Sequence, residues 1–495
     1  MEWEKLLSNK RIKELQTGTL KSNIGDTEFR SEFQRDYDRC LFSTPVRRLQ
    51  DKAQVFPLEP NDSVRTRLTH SLEVSQIARG IANKVAKSLF EQGKISNDQS
   101  EAIILIALTS ALIHDLGNPP FGHSGEDAMR IWFKNKIEGH DKGEFFEKEQ
   151  EEIRELTKEE KNDLLNFEGN AQTIRLLSKL QMLGDFSGLN LTAGTLSASR
   201  KYTANSIQIG TGGQKFKKLG YFQSEKELIS LVEMETGTEN RRNPITFLVE
   251  AADDIAYSII DLEDGIKKGV VTWESISRRL KNVGESGINL INKAENNIND
   301  RCLSVGFEPK KENGKIIEFK ELKGKALDEA RISILRTFYI SEMVDSVSNA
   351  FLENYASIME GEFDKELVEI SNKNVLVSEC KRMAVEFIFP HNSILKLELM
   401  GKRVINDLMD IFWEGIVLAP YITKDYKREF KLNQKTYDLL SSNYKSVFES
   451  ETKGLKTDGS IERKAFYRRS QLLADYICGM TDSFAVALHK ELKNG

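Results

Sequence analysis

"EAIILIALTSALIHDL" spans Glu101–Leu116, and "GNPPFGHSGED" follows it at Gly117–Asp127. The first stretch is apolar on nearly every side, which predicts a central buried helix, not an amphipathic one at the surface. Its longest apolar run, Ala102–Ile113, falls short of the ~20 residues that span a bilayer. Gly117, Pro119 and Pro120 stop the helix. His114 and Asp115 therefore stand at the end of a buried helix, with a tight turn and then His123 and Glu126 beyond it. Ser124 is predicted to cap the following helix, with Asp127 three residues on.

The flanking sequence is read in the same way. "SLEVSQIARGIANKVAKSLF" (Ser71–Phe90) places Leu72, Ile77, Ile81 and Val85 on a helical stripe, with His70 at its start. Asn243–Pro244 has the pattern of an N-cap and a first-turn proline, opening a long helix to about Gly265. "LLNFEGNAQTIRLLSKL" (Leu164–Leu180) is again helical, whereas residues 185–224 are rich in Gly, Ser and Thr and predict a long loop with a few short strands. The expected fold is all-α: a helical core over residues 61–270, an irregular arm with one helix over 1–60, and a helical C-terminal region over 271–495. Loops are expected near 305–318 and 450–462. The stretch Lys134–Lys161 is almost all charge and is expected to be a solvated insertion.

Composition narrows the function. The 495 residues exceed the roughly 150 of a single domain. Hydrophobic residues make up 39% and charged residues 30%, the balance of a folded, soluble chain. A net charge of −5 gives no global basic field of the kind a dedicated nucleic-acid binder carries. Cys40, Cys302, Cys380 and Cys478 are widely separated with no CxxC pair, which argues against a zinc ribbon or a disulfide framework. The N-terminus "MEWEKLLSNKRIKELQ" lacks an apolar signal core, so a cytoplasmic protein is expected.

Three of the six histidines lie between His70 and His123. His70, His114, Asp115 and Asp253 form a candidate ligand set. Imidazole with carboxylate suits a hard or borderline divalent cation such as Mn2+ or Mg2+, with Fe2+ a further option. Two histidines and two carboxylates leave positions open for water and a phosphate oxygen. Asp253 and Asp254 compete for the fourth place. Residues spaced by four share a helix face, so Asp253, Tyr257 and Asp261 stand together beside the apolar Leu248, Ala252, Ile255 and Ile259. Glu250, Asp254 and Ser258 form a second stripe, expected to be solvated. Asp253 is the choice, with Asp254 in reserve. Arg67, three residues before His70, is a candidate phosphate fork.

The strings "RTRLTHS", "LIHDLGNPPFGHSGE", "NFEGNAQTIRLL" and "EAADDIAYSIIDLEDGI" together resemble the HD-superfamily deoxynucleoside triphosphate triphosphohydrolases, most of all the bacterial dGTPase group. "FSTPVRRLQDKAQVFPLEP" (Phe42–Pro60) and "YRRSQLLADYICGMTD" (Tyr467–Asp482) extend the resemblance through most of the chain. It implies an HD-domain helical core and one hydrolytic step, in which water attacks the α-phosphorus of a dNTP and releases a deoxynucleoside and tripolyphosphate. It assigns the metal to His70, His114, Asp115 and Asp253. It makes His123 and Glu126 of "GHSGE" the catalytic pair, with the carboxylate raising the imidazole pKa and fixing its tautomer so that His123 can protonate the leaving 5′-oxygen.

The same resemblance places Gln54 at the deoxyribose 3′-OH, Asn170 near the α-phosphate, Lys201 and Tyr202 at phosphate and sugar, Tyr257 against the sugar and Asp261 at the 3′-OH. Lys217 and Lys218 are further phosphate candidates. Guanine would need a carboxylate for its N1–H and N2–H and a cation for O6 and N7, and no residue is assigned to either. A homo-oligomer (hexamer or tetramer) is implied, with Arg468 and Arg469 as candidates to reach a neighbouring subunit, and single-stranded DNA is a candidate partner. The competing readings are a broad-specificity, nucleotide-activated dNTP hydrolase, an HD 5′-nucleotidase, and a single-stranded nucleic-acid-binding protein with a secondary HD site.

Overall fold

A computed structural model describes residues 1–19, 30–59, 61–139, 146–181, 184–417, 431–453 and 460–494. It is built almost wholly of helices. At its centre the helix Asn97–Ile113 packs against Arg67–Glu91 on one side and Pro244–Lys267 on another, with Glu32–Leu41 and Ala193–Ala198 closing it off. Ile103, Ile106, Ala107, Ala111, Leu112 and Ile113 are all fully buried, as its unbroken apolar surface requires. This helix begins in one hydrophobic cluster and ends in the second, so His114 and Asp115 emerge where the two meet. No helix of the described residues is long and apolar enough to cross a membrane.

Local signals set the helix starts. Thr66, Ser96 and Asn243 each accept a backbone N–H of the first turn, satisfying donors that have no partner within the helix. Asn243 is followed by Pro244 at the first helical position, and the helix runs to Lys267. Within Arg67–Glu91, Val74, Ile77, Ala78, Ile81 and Val85 face the core, and Ser75 Oγ donates to the Leu108 carbonyl at 2.8 Å. Leu72 does not join them; at 40% exposure it lies off the packed stripe.

Several expectations are corrected. Ser124 is not a cap: the helix Gly122–Ile137 starts earlier, after Phe121 in the left-handed region, and the Ser124 hydroxyl donates to the Glu398 carbonyl. The stripe Glu250, Asp254, Ser258 is not solvated. Helices Lys325–Glu353 and Asn374–Met383 pack on it, so Ser258 bonds the Tyr339 hydroxyl at 2.7 Å and Lys381 pairs with Asp254 at 2.7 Å, while Glu250 pairs with Arg242 and, like Asp254, borders a cavity. The N-terminal residues are no irregular arm, because Trp3, Leu6, Ile12, Cys40, Val46 and Leu49 are buried in the two clusters. They form the short helices Trp3–Leu6, Ile12–Thr17, Glu32–Leu41 and Thr44–Arg48.

The charged stretch is also less solvated than its composition suggests. Its described parts are helical and bury Ile153 and Leu156, while Glu149 accepts from the Trp413 indole and Glu152 pairs with Arg469; residues 140–145 lie outside the described residues. Arg469, 1% exposed, is bound inside the chain by Glu152 and the Val417 carbonyl. The loop expected near 305–318 is instead the hairpin Pro309–Glu312 and Lys315–Phe319, the strands of the described residues. Asn313–Gly314, both at positive φ, make its turn, the Asn-Gly signal of a two-residue hairpin. The strands expected within 185–224 are absent among the described residues; isolated bridges such as Ala204–Leu219 stand there. Of the loop expected near 450–462, residues 454–459 lie outside the described residues, and both flanks are helical.

The turn after Asp115 is held by backbone on backbone. A Cβ on Gly117 would lie 2.2 Å from the Gly169 carbonyl oxygen and 2.3 Å from the Thr173 nitrogen. The Gly117 N–H donates to Thr173 Oγ1 at 2.9 Å. Gly117→Ala must therefore push the helix Gly169–Arg175 away from the turn. The expected cost is about 1–3 kcal/mol, the scale of overpacking, read as a lowered midpoint in urea unfolding with an unchanged slope.

Candidate metal and phosphoester site

A cavity of about 520 Å³ opens at the C-terminal end of the buried helix, within the ~300–1,000 Å³ range of small-molecule sites. It gathers segments far apart in sequence. Gln54, Arg67, His114, Asp115, His123, Asn170, Lys201, Tyr202, Asp253 and Tyr257 line it. His70, Glu126 and Asp261 lie behind its walls, each at most 3% exposed.

One end of the cavity is a ligand cluster. Donor atoms of His70, His114 and Asp115 all fall within 4.8 Å of one another. Asp253 Oδ1 sits 3.2 Å from His70 Nε2 and 3.5 Å from His114 Nε2. His114 Nδ1 is 2.7 Å from the Ala111 carbonyl, a contact that needs a proton on Nδ1 and turns Nε2 towards the cluster. Burial alone would push His114 down, but Asp115 and Asp253 outweigh it and raise its pKa to about 9. Burial would likewise raise Asp253, yet His114 and His70 hold it well below the ordinary carboxylate range. A cluster with these preferences is complementary to positive charge at its centre, and its imidazole and carboxylate donors fit a divalent cation. Asp254 points elsewhere, to Lys381. The helix face separates the two acids.

The expected His123–Glu126 hydrogen bond is not formed. Glu126 turns inward: Oε2 accepts the Gly169 N–H at 2.9 Å and Oε1 pairs with Arg130. Arg130 Nη2 also reaches Glu168 Oε2 at 3.0 Å, so one guanidinium bridges two carboxylates. Burial, together with Glu168, lifts Glu126 to about 7. His123 projects into the cavity, and among the described residues its ring makes no hydrogen bond. Partial enclosure, then Arg67 and Lys218, lower its pKa; it is not raised as a carboxylate partner would raise it. The carboxylate on the cavity side is Glu168, which accepts from Asn170 Nδ2 at 2.7 Å and pairs with Lys218 at 3.1 Å. It stands two residues before Asn170 in "FEGN", and no spacing rule distinguished it.

Around these groups the wall carries Arg67, Lys201 and Lys218 against Asp115, Glu168, Glu250, Asp253, Asp254 and Glu398. Acids outnumber cations, so a polyanion would need further positive charge to enter. Arg67 is anchored by Nη1 to Asp115 Oδ2 at 2.5 Å, while its buried Nε has no partner. Asn118 Nδ2 donates to the other Asp115 oxygen at 2.6 Å, a contact that sequence reasoning did not single out. Burial would lower Lys201, but Glu250 and Asp253 keep it firmly protonated. Gln54 Oε1 and Asp261 Oδ2 are buried oxygens without a partner among the described residues. Burial and the nearby Asp264 and Asp253 push Asp261 well above the ordinary carboxylate range. Glu398 and Phe389, from the C-terminal half, complete the lining and belong to no recognisable motif.

The HD domain family profile matches residues 67–182, which include both histidines of the cluster and His123. The chain is 35% identical over 499 aligned residues to the deoxyguanosinetriphosphate triphosphohydrolase-like protein of Listeria monocytogenes, covering 99% of each chain. It is 30% identical to the deoxyguanosinetriphosphate triphosphohydrolase of Serratia proteamaculans and 31% identical to that of Yersinia enterocolitica, covering 93% of each chain in both cases.

Two outcomes follow from the geometry. Asp253→Ala is expected to lose bound Mn2+ in equilibrium dialysis, whereas Asp254→Ala, which removes a partner of Lys381, is expected to keep it; the opposite result would reassign the ligand. By NMR, His123 of the free protein should titrate below 6.5 and move upward when a non-hydrolysable triphosphate places negative charge beside it. An upward shift already present in the free protein would contradict the geometry.

Proposed function

The chain belongs to the deoxyguanosinetriphosphate triphosphohydrolase family of HD-domain proteins, and on that premise we propose that it hydrolyses dGTP to deoxyguanosine and inorganic tripolyphosphate in a metal-dependent step. The observation that carries this reading is the juxtaposition of the His70–His114–Asp115–Asp253 cluster with the unpaired imidazole of His123 in one cavity. A divalent cation held by those four residues, Mn2+ or Mg2+, would supply Lewis-acid polarisation of a phosphoryl oxygen.

The remaining work falls to the chain's own groups. Arg67, Lys201 and Lys218 offset phosphate charge. Arg67 has a buried nitrogen still to satisfy, and a guanidinium can grip two oxygens at once. Asn170, held by Glu168, faces the phosphate bearing the scissile bond. His123 enters neutral, gains a proton as the triphosphate raises its pKa, and gives it to the departing 5′-oxygen. Glu126 acts at one remove: it fixes the start of the Gly169 helix and the guanidinium of Arg130, and so holds Glu168 and Asn170 in place.

Gln54 Oε1 is a free acceptor for a sugar hydroxyl, and Tyr257 closes the sugar wall with Asp261 one helical turn behind it. The base is read at the mouth. Among the described residues the Glu398 carboxylate has no partner, and Phe389 lies beside Tyr257 with ring centroids 6.3 Å apart. A carboxylate accepts both N1–H and N2–H of guanine, whereas adenine presents it with an N1 acceptor, so guanine is favoured over broad specificity. The same reading makes the protein a cytoplasmic homo-oligomer, a tetramer or hexamer, with single-stranded DNA as a candidate further partner.

Incubation with Mn2+ or Mg2+ and each of the four dNTPs plus GTP, followed by chromatography, tests this. Deoxyguanosine and tripolyphosphate from dGTP alone are expected; hydrolysis of all four dNTPs would replace the guanine preference with broad specificity. His123→Ala should keep metal and fold but lower kcat by at least ~100-fold, the lower scale for lost proton transfer. Glu126→Gln, which keeps an acceptor for the Gly169 N–H, should lose less.

A further inference from the structure

The C-terminal string "YRRSQLLADYICGMTD" lines no part of the cavity. Its two last acids nevertheless reach the site from behind. Asp475 accepts from Gln172 Nε2 at 2.8 Å and from Arg175 Nε and Nη2 at 2.9 and 2.8 Å. Both donors sit on the helix whose first turn carries Asn170. Asp482 makes a different contact. One carboxylate oxygen accepts the Ala53 N–H and the other accepts the Phe121 N–H, each at 3.0 Å.

Those two amides belong to two separate segments that line the cavity. Ala53 precedes Gln54, the proposed sugar contact. Phe121 is the left-handed residue, φ 63°, from which the helix carrying His123 starts. A bulky side chain in that conformation is strained and persists only where its surroundings impose it. Neighbouring groups lock the same three segments together. Lys52, 3% exposed, donates to the carbonyls of Asn118 and Cys478 at 2.6 and 2.7 Å, and Ser483 donates to Asp51.

Asp482 opens the last helix, Asp482–Asn494, but its carboxylate does not cap it. Thr481 does so: its carbonyl accepts the Ala485 N–H and its hydroxyl the Phe484 N–H. The buried Asp482 carboxylate is left to reach across the fold.

We propose that Asp482 is a positioning residue for the reaction: by accepting one N–H from each of the two lining segments, its single carboxylate fixes Gln54 and His123 relative to one another, so that the sugar grip and the proton donor engage one nucleotide together. The proposal rests on the dGTP reading above. It explains why a carboxylate occupies this place. An amide offers one acceptor and one donor, so Asp482→Asn satisfies one of the two N–H groups and turns a donor towards the other.

The test compares wild type, Asp482→Asn and Asp482→Ala by three measurements: kcat and KM for dGTP and GTP, the thermal midpoint, and hydrogen–deuterium exchange by mass spectrometry. For Asp482→Asn, exchange should quicken in peptides covering 52–54 and 120–122 while the Pro244–Lys267 helix keeps its protection and the midpoint is nearly unchanged. The kcat for dGTP should fall roughly 10- to 100-fold, the scale of a small misplacement, and its KM should rise as the sugar contact at Gln54 loosens. Unchanged local exchange, or a uniform rise in exchange with a lower midpoint and an unchanged kcat and KM for dGTP, would overturn the proposal. Should Asp482→Ala fail to fold, the near-isosteric Asn variant still decides. A wild-type protein that hydrolyses none of the nucleotides would defeat the dGTP reading, and the exchange data would then judge the Asp482 contact on their own.

Discussion

The structure depends on one constraint: an apolar helix, buried over most of its length, ends in a histidine and an aspartate. Charge brought to the edge of a hydrophobic core must be compensated there, because desolvation costs several kcal/mol per unpaired ion. Asp115 meets that need through Arg67 and Asn118. His114 meets it through the Ala111 carbonyl and Asp253. Each compensating group comes from another element, so the requirement of one helix end draws the first helix turn at Arg67, the turn at Asn118 and the middle of the Asp253 helix to one point. The same demand for compensating positive charge makes the cluster complementary to a divalent cation.

A second polar network stands beside the first and differs from it in kind. Arg130 ties Glu126 to Glu168, and Glu168 in turn holds Asn170 and Lys218. The acids here are spent on positioning, which leaves His123 as an imidazole in the cavity with cations, and no hydrogen-bonded carboxylate, for neighbours. Burial first and these cations second lower its pKa, and in the proposed reaction the substrate supplies the charge that protonates its own donor. Coupling protonation to substrate binding in this way avoids a permanent positive charge next to Arg67 and Lys218, which would be costly at such close range.

Both networks depend on backbone approach that side chains alone could not produce. Gly117 lies against the Gly169 backbone, and Phe121 adopts a left-handed conformation to start the next helix. The last two helices, Ser460–Cys478 and Asp482–Asn494, brace this region without entering the cavity, Asp475 through the Gly169–Arg175 helix and Asp482 through the Ala53 and Phe121 amides. This accounts for a site resemblance that extends into a distant C-terminal string whose residues touch no part of the cavity.

By itself the sequence determined the helical class, the central position of Asn97–Ile113, the start of the Asp253 helix at Asn243–Pro244, and the separation of Asp253 from Asp254 onto different faces. Periodicity, caps and Gly/Pro stops are local, and each is decided within a few residues. Composition misled where it stood in for packing: described residues of the charged stretch 134–161 and Ser258 are covered because other helices happen to lie over them, and Glu250 is taken up by Arg242 at the cavity. Only the tertiary structure decided which acid meets which base. Glu126 was drawn from His123 to Arg130 and the Gly169 amide, and Glu168 and Glu398 reached the cavity. The Phe121 amide found its acceptor in Asp482, 361 residues away. Such pairings are set by how whole helices approach one another, and no short window of sequence contains that information.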